Sequence, residues 1–363
     1  MAGADAADAE GPSGGRPGRR SGRLVVVGAL CLEHRVEVEA VPRAGETATG
    51  RNYGSAAGGR GLVQAVAAAR QGADVALVGA VGDDAAGGLL TGLLVGEGVA
   101  VGGVRRRLGP SGAVLVTADG EGRPRMIVAP GANAALEAAD VPVELVASAG
   151  VVLCHLDVPR PAVVAALRAA QQACVMSVLD VLGSGAARDV PDEILRLVDV
   201  VVLPASGAGP KAVVPTVVRV RTDHSATVVA GDDRTEVASF SLPAVDRSGE
   251  GDAYVGALAA ALAAGEPVPV AARRAAAAAA LAATRRGAVP SLPDRRAVDR
   301  LTAGPSLAAA GPSDRRGAPV TASESRPRSP SAGAPPGGPR RPPPRGARGE
   351  GRSGPPRRGG SRS

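Results

Sequence analysis

Apolar and polar positions change period several times along this chain, and each change marks an element. Leu24-Val25-Val26-Val27 is a continuous apolar run closed by Gly28, the pattern of a strand buried on both faces. Residues 33–57 alternate instead (Val36, Val38, Val41) and are broken by Pro42 and Gly45, which predicts short exposed strands forming a lid or flap. Gly58-Gly59-Arg60-Gly61 then opens a helix over about 62–71, with Val63, Val66 and Ala67 on one face. A strand over 74–79 and a helix ending near 96 follow.

Residues 111–116 and 125–128 pair as a hairpin across Asp119-Gly120-Glu121-Gly122. Strands over 151–156, 175–181 and 198–203 alternate with helices over 161–173 and 192–197. Further strands are expected over 217–220, 227–230 and 235–240, before helices over 252–264 and 268–285. Strands alternating with helices specify a parallel sheet covered on both faces. Its crossovers are right-handed, and ligands gather at the carboxyl ends of its strands.

Composition refines this picture. There is no Trp, one Phe (Phe240) and two Tyr, so the core is built from small aliphatic residues and stacking on nucleic-acid bases is excluded for the body. The net charge of +7 is unevenly placed: residues 304–363 hold 12 Arg against 3 acidic residues, a net of +9 that leaves −2 for the rest. That stretch also carries 13 Pro, with few apolar residues, and reads as a disordered tail over 303–363 whose charge suits acidic partners or RNA. Residues 1–22 form a disordered extension without the apolar segment of a secretory signal. Cys31, Cys154 and Cys174 read as buried free thiols of a reducing compartment, so the expected location is cytoplasmic. No paired metal-ligand spacing is present, and no uncharged run is long enough to span a membrane.

The chemistry concentrates at Ser248-Gly249-Glu250-Gly251-Asp252, a glycine-flanked turn entering an Ala/Leu helix. N–H groups at a helix start are unpaired and carry partial positive charge, so they cradle anions. A carboxylate at that mouth adds a base, a combination suited to phosphoryl transfer onto a hydroxyl.

Several motifs appear in order: Gly28; Pro42-Arg43-Ala44-Gly45-Glu46-Thr47; Gly58-Gly59-Arg60-Gly61; Gly79-x-Val81-Gly82-Asp83-Asp84; Pro130-Gly131-Ala132-Asn133; Gly249-x-Gly251-Asp252; and Arg286-Gly287-Ala288-x-Pro290-Ser291. Over residues 23–302 the chain resembles the ribokinase-like (PfkB) family of carbohydrate kinases, and most closely its ribokinase branch. The resemblance implies a three-layer α/β/α doubly wound, mostly parallel sheet with a small β-sheet lid, its strands within 33–57 and 111–128. It implies transfer of the ATP γ-phosphate to a sugar or nucleoside hydroxyl, with Mg²⁺ and with K⁺ where the ribokinase pattern holds. Homodimerisation through the lid is common in the family.

Carried onto this chain, Asp252 is the base, and Gly249, Glu250 and Gly251 form the anion hole. Glu33, Gly58, Gly59, Arg60 and Asp157 join Asp252 in binding the sugar, and Asp246, Ser248 and Ser291 fall at the monovalent-cation loop. The chain departs from the family at several of its positions. Cys31-Leu32-Glu33 stands for Asn-x-Asp, Arg60 and Val63 for Lys and Asn, and Asp157 for Glu. Pro204-Ala205-Ser206-Gly207 replaces Asn-x-x-Glu, and Arg219-Val220-Arg221-Thr222-Asp223-His224 lacks the glycines of a phosphate loop, leaving Arg219 and Arg221 as the nucleotide-side charges. Glu250 takes the place of a small residue, its side chain expected toward solvent. Two readings follow: a working sugar kinase, or a catalytically weak or inactive relative serving as a sugar-binding or regulatory module.

Overall fold

The computed structural model describes residues 22–183, 190–206 and 214–304. Residues 1–21 of the expected extension, the tail from 305 and the stretch 207–213 lie outside the described residues. The chain enters the body at β1 (Arg23–Val27), forms lid strands β2 (Cys31–Glu37) and β3 (Arg51–Gly58), and returns through α1 (Arg60–Arg70) to β4 (Asp74–Gly82). Then follow α2 (Ala85–Gly96), β5 (Ala100–Arg107), a second lid hairpin of β6 (Gly112–Ala118) and β7 (Pro124–Ala129), and α3 (Val143–Ala147). The second half runs β8 (Val151–His155), α4 (Arg160–Gln172), β9 (Met176–Asp180), α5 (Asp192–Leu195), β10 (Val200–Pro204), and strands β11 (Thr216–Val220), β12 (Ala226–Ala230) and β13 (Asp233–Val237). Helices α6 (Glu250–Ala263), α7 (Val268–Ala283), α8 (Ala288–Ser291) and α9 (Arg295–Ala303) complete it.

A nine-stranded sheet in the order β13-β12-β11-β10-β9-β8-β1-β4-β5 is parallel except for β12, which runs antiparallel to both β11 and β13. The period-2 rule splits each buried run between two cores. Leu24, Val26, Leu77, Leu153 and Val202 pack beneath α1, α2, α6 and α7, while Val25, Val27, Val78, Val152 and Leu179 pack beneath α3, α4 and α5. The result is three layers. The lid is a separate four-stranded sheet, β3-β2-β6-β7, in which β2 and β6 run parallel.

Small side chains let the helices approach closely. A Cβ on Gly256 of α6 would lie 2.6 Å from both the Ala67 Cβ and the Gln64 carbonyl oxygen of α1. This near contact of backbones brings polar residues of α1 against the start of α6.

Four expectations change. α6 begins at Glu250, two residues before the expected start. The last strand is Asp233–Val237 rather than 235–240, because residues 238–240 leave the ladder. β5 was not foreseen: its Gly102-Gly103 and its arginine run hide a strand that pairs along β4 at the sheet edge. Cys174 is exposed with φ of 53° in the turn after α4, whereas Cys31 and Cys154 are buried free thiols. Among the described residues no helix is long and apolar enough to cross a membrane.

Candidate active site

The carboxyl ends of β1, β8 and β9 and the start of α6 converge on one side chain, Arg60. It lies in the first turn of α1, where Gly59 takes φ of 86° and where a Cβ on Gly59 would meet Ala29 O and Cys31 N at 2.7 Å. Arg60 donates a hydrogen bond to the fully buried Asp180, and its Nε lies 3.7 Å from Asp252 Oδ1 and 3.8 Å from Asp157 Oδ2. Burial works against the guanidinium charge, but Asp180, Asp252 and Asp157 outweigh it and hold its pKa above the usual value. One turn on, buried Gln64 uses its Nε2 twice, donating to Asp180 Oδ2 at 2.7 Å and to Asp252 Oδ1 at 2.8 Å.

Burial pushes the Asp252 carboxyl up to about 6, against Arg60 and the Gln64 hydrogen bond and with help from Asp180 and Asp157. A base poised there is largely ionised at neutral pH yet still accepts a proton usefully. Glu33 lies beside Gly58, with Oε2 3.7 Å from where a Cβ would stand, and burial raises its pKa as well. Asp157 Oδ2 is 3.5 Å from Nδ1 of His155, whose ring is fully buried. Burial first, then Arg60, lowers the imidazole pKa to about 3, so His155 is neutral. Val63, in the place of an amide, is buried in the core.

Gly249 caps α6 in the left-handed conformation, φ 78°. The Glu250 N–H reaches back to Arg247 O at 3.4 Å. The next N–H groups, of Gly251 and Asp252, have no acceptor within the helix, as in any first turn. Nothing lies within 4 Å of a Cβ placed on Gly251, so this mouth is open. The Glu250 side chain does not extend into solvent as expected. It is only 16% exposed and folds toward Arg247 at 3.3 Å and His224 Nε2 at 3.8 Å, because His224 fills the space beside the cradle. His224 in turn stacks on the buried ring of Tyr254.

Asp246 joins the turn before α6 to the loop before α8. Its Oδ1 accepts from Ser248 N–H and its Oδ2 from Gly287 N–H, both at 2.9 Å. Burial would raise its pKa, but these hydrogen bonds outweigh it and lower it. Ser291 is buried and donates its hydroxyl to Ala288 O at 2.9 Å. On the nucleotide side, Arg221 is committed to its own hairpin, bonding Thr227 Oγ1 at 2.9 Å and Glu236 Oε2 at 3.0 Å. Arg219 sits on β11, in register with Thr227. Among the described residues no group of three His, Cys, Asp or Glu is arranged to hold a metal ion.

The sequence reading gave no role to Gln64, Asp180, His155, His224 or Asn133. Two signals were available: Gln64 is a polar residue inside an otherwise apolar helix face, and Asp180 ends an apolar strand at the edge where ligands gather. Asn133 ties the lid to the body, accepting from Leu30 N at 3.0 Å and donating to Leu30 O at 2.7 Å.

Known proteins resemble this chain in sequence and in fold. The profile of the pfkB family carbohydrate kinases matches residues 21–209 and 205–295. Ribokinase of Arabidopsis thaliana is 30% identical over 77% of this chain and 80% of its own. Ribokinase of Haemophilus influenzae is 28% identical over 75% of this chain and 95% of its own. The structure of Arabidopsis thaliana ribokinase complexed with ribose and ATP superposes with a TM-score of 0.72 at 28% identity, covering 78% of this chain and all of that one.

Proposed function

We propose, for a chain that belongs to the pfkB family of carbohydrate kinases, that it phosphorylates a ribose-like sugar or a related nucleoside with ATP, and that Asp252 is its base. The observation that carries this is the pairing of Asp252, raised to about 6, with the open first turn of α6 directly beside it. The sugar hydroxyl gives its proton to Asp252. The oxygen bonds to the γ-phosphorus as the bond to the departing ADP oxygen breaks. N–H groups over Gly249, Glu250 and Gly251 hold the transferring phosphoryl group, that of Glu250 exchanging its 3.4 Å contact with Arg247 O for the phosphate, so the catalysis is positioning and charge stabilisation.

Glu33, Asp157 and Arg60 serve sugar hydroxyls over the flat backbone of Gly58 and Gly59. Arg219 and Arg221 are the nucleotide-side arginines, Arg221 being bonded to Glu236 within its own hairpin. Without an acidic cage among the described residues, Mg²⁺ arrives on the nucleotide phosphates as part of the substrate. Asp246, Ser248 and Ser291 offer carboxylate and hydroxyl oxygens of the hard kind that suits K⁺. Leu115 and Ile127, paired across β6 and β7, are exposed on one face of the lid and support a homodimer through that face. Two buried free thiols are compatible with a cytoplasmic setting.

The second reading, a weak kinase retained as a sugar-binding module, is favoured by the Glu250 carboxylate packed beside the phosphate cradle. ATP consumption over a panel of pentoses, hexoses and nucleosides separates the two. Turnover abolished in Asp252→Asn supports the kinase. Absence of turnover, with sugar binding retained in calorimetry, establishes the module instead.

A further inference from the structure

Asp252 is not symmetric in its surroundings. Gln64 Nε2 bonds its Oδ1 at 2.8 Å, and the nearest Arg60 nitrogen also approaches Oδ1, at 3.7 Å. Gln64 cannot turn away, because its second N–H is spent on Asp180 Oδ2 at 2.7 Å. Rotating the amide would aim its oxygen at two carboxylates, so the network itself sets the orientation. Asp180 is equally fixed: it is fully buried, receives Arg60 on Oδ2 and accepts Leu182 N–H on Oδ1 at 2.8 Å.

We propose that Gln64 is a positioning residue for the phosphoryl transfer, anchored by Asp180, which occupies Oδ1 of Asp252 and so presents Oδ2 to the acceptor hydroxyl. The inference rests on the reading of Asp252 as base. A carboxylate without this clamp would rotate between two equivalent oxygens and would face the substrate in the productive pose for only part of the time. Misplacement of that size is costly where catalysis is mostly alignment. The groups facing Asp252 come from three other elements: Arg60 and Gln64 from α1, Asp157 from the loop after β8, and Asp180 from β9. Asp180 therefore acts in two opposed ways, anchoring the amide that favours the ionised base while adding a negative charge that disfavours it.

The test is a pH titration of the full-length protein labelled with ¹³Cγ-aspartate, the Asp252 signal being identified by its loss in Asp252→Asn. Gln64→Leu removes a donor to the carboxylate and should raise its midpoint by about half to one pH unit. Asp180→Asn keeps the shape, deletes the neighbouring charge and should lower the midpoint. A residue that merely fills space would not move the two in opposite directions. In turnover, Gln64→Leu should lower kcat by about 10- to 100-fold with the sugar KM changed less than about threefold. Midpoints unchanged in both variants, or kcat unchanged in Gln64→Leu, would overturn the proposal. If Gln64→Leu does not fold, Gln64→Met, which keeps the length of the side chain but has no N–H donor, decides: a raised midpoint supports the clamp and an unchanged one overturns it. Full turnover in Asp252→Asn would instead overturn the base assignment while leaving the titration shifts intact.

Discussion

His224 Nε2 lies 3.8 Å from the Glu250 carboxylate, and His224 holds its backbone at φ 64° to reach it. A left-handed histidine is strained by about 1–2 kcal/mol relative to glycine. The sharp turn at 222–224 thus sets an imidazole and a carboxylate beside the start of α6. In the proposed kinase, nucleotide phosphates approach this helix start, and the Glu250 carboxylate opposes them where solvent does not screen it.

Relieving this charge should help the nucleotide. Glu250→Gln should lower the KM for ATP by about three- to tenfold, and His224→Gly should act in the same direction by removing the ring behind it. Steady-state kinetics with ATP varied at saturating sugar is the check. A KM that rises in Glu250→Gln would show that the carboxylate assists binding.

The raised Asp252 carboxyl has a consequence for stability as well as for rate. Its folded-state pKa, about 6, lies above the unfolded value near 3.8. The folded protein therefore binds the proton more tightly, and ionisation costs stability progressively as pH rises from about 4 to about 6. Asp252→Asn, which never ionises, should match wild type near pH 4 and exceed its Tm above pH 6. The same group predicts an acid limb in the activity profile near pH 6. Thermal melts from pH 4 to pH 8 measure the first and initial rates the second.

Arg60 is 18% exposed and is the cation nearest to three carboxylates at once. Removing one partner of a buried ionic cluster leaves uncompensated charge, and Arg60→Leu should cost about 3–5 kcal/mol in urea unfolding. Adding Asp180→Asn should recover part of the loss, since the most buried of the orphaned charges is then gone. An additive double variant would show that the two residues do not interact.

At the lid junction, Asn133 is 1% exposed and bonds both the N–H and the carbonyl of Leu30. Asn133→Ala leaves those groups unpaired in the interior and should destabilise by about 2–3 kcal/mol. It should also raise the sugar KM, because Glu33 hangs from the strand that Asn133 anchors. Equilibrium unfolding and sugar kinetics together check it.

The glycine motifs and the long apolar runs were readable because their signals are local. Gly249-Glu250-Gly251-Asp252 encodes a helix mouth, and a run such as Val25-Val26-Val27 encodes a buried strand, without reference to distant residues. The edge strand β5 was not readable, since glycines and arginines carry no strand period and pairing with β4 alone makes it extended.

The sequence by itself determined the alternation of strands and helices, the lid, and Asp252 as a carboxylate in the glycine-flanked first turn of a helix. Only the tertiary structure decided what surrounds that carboxylate. Gln64 and Asp252 are separated by 188 positions, and Gln64 and Asp180 by 116, so no local pattern links them. They meet because Gly256 lets α6 settle against α1 and because β9 ends beside both. Low dielectric and close charges then set the Asp252 proton affinity, and both arise from packing rather than from residue type.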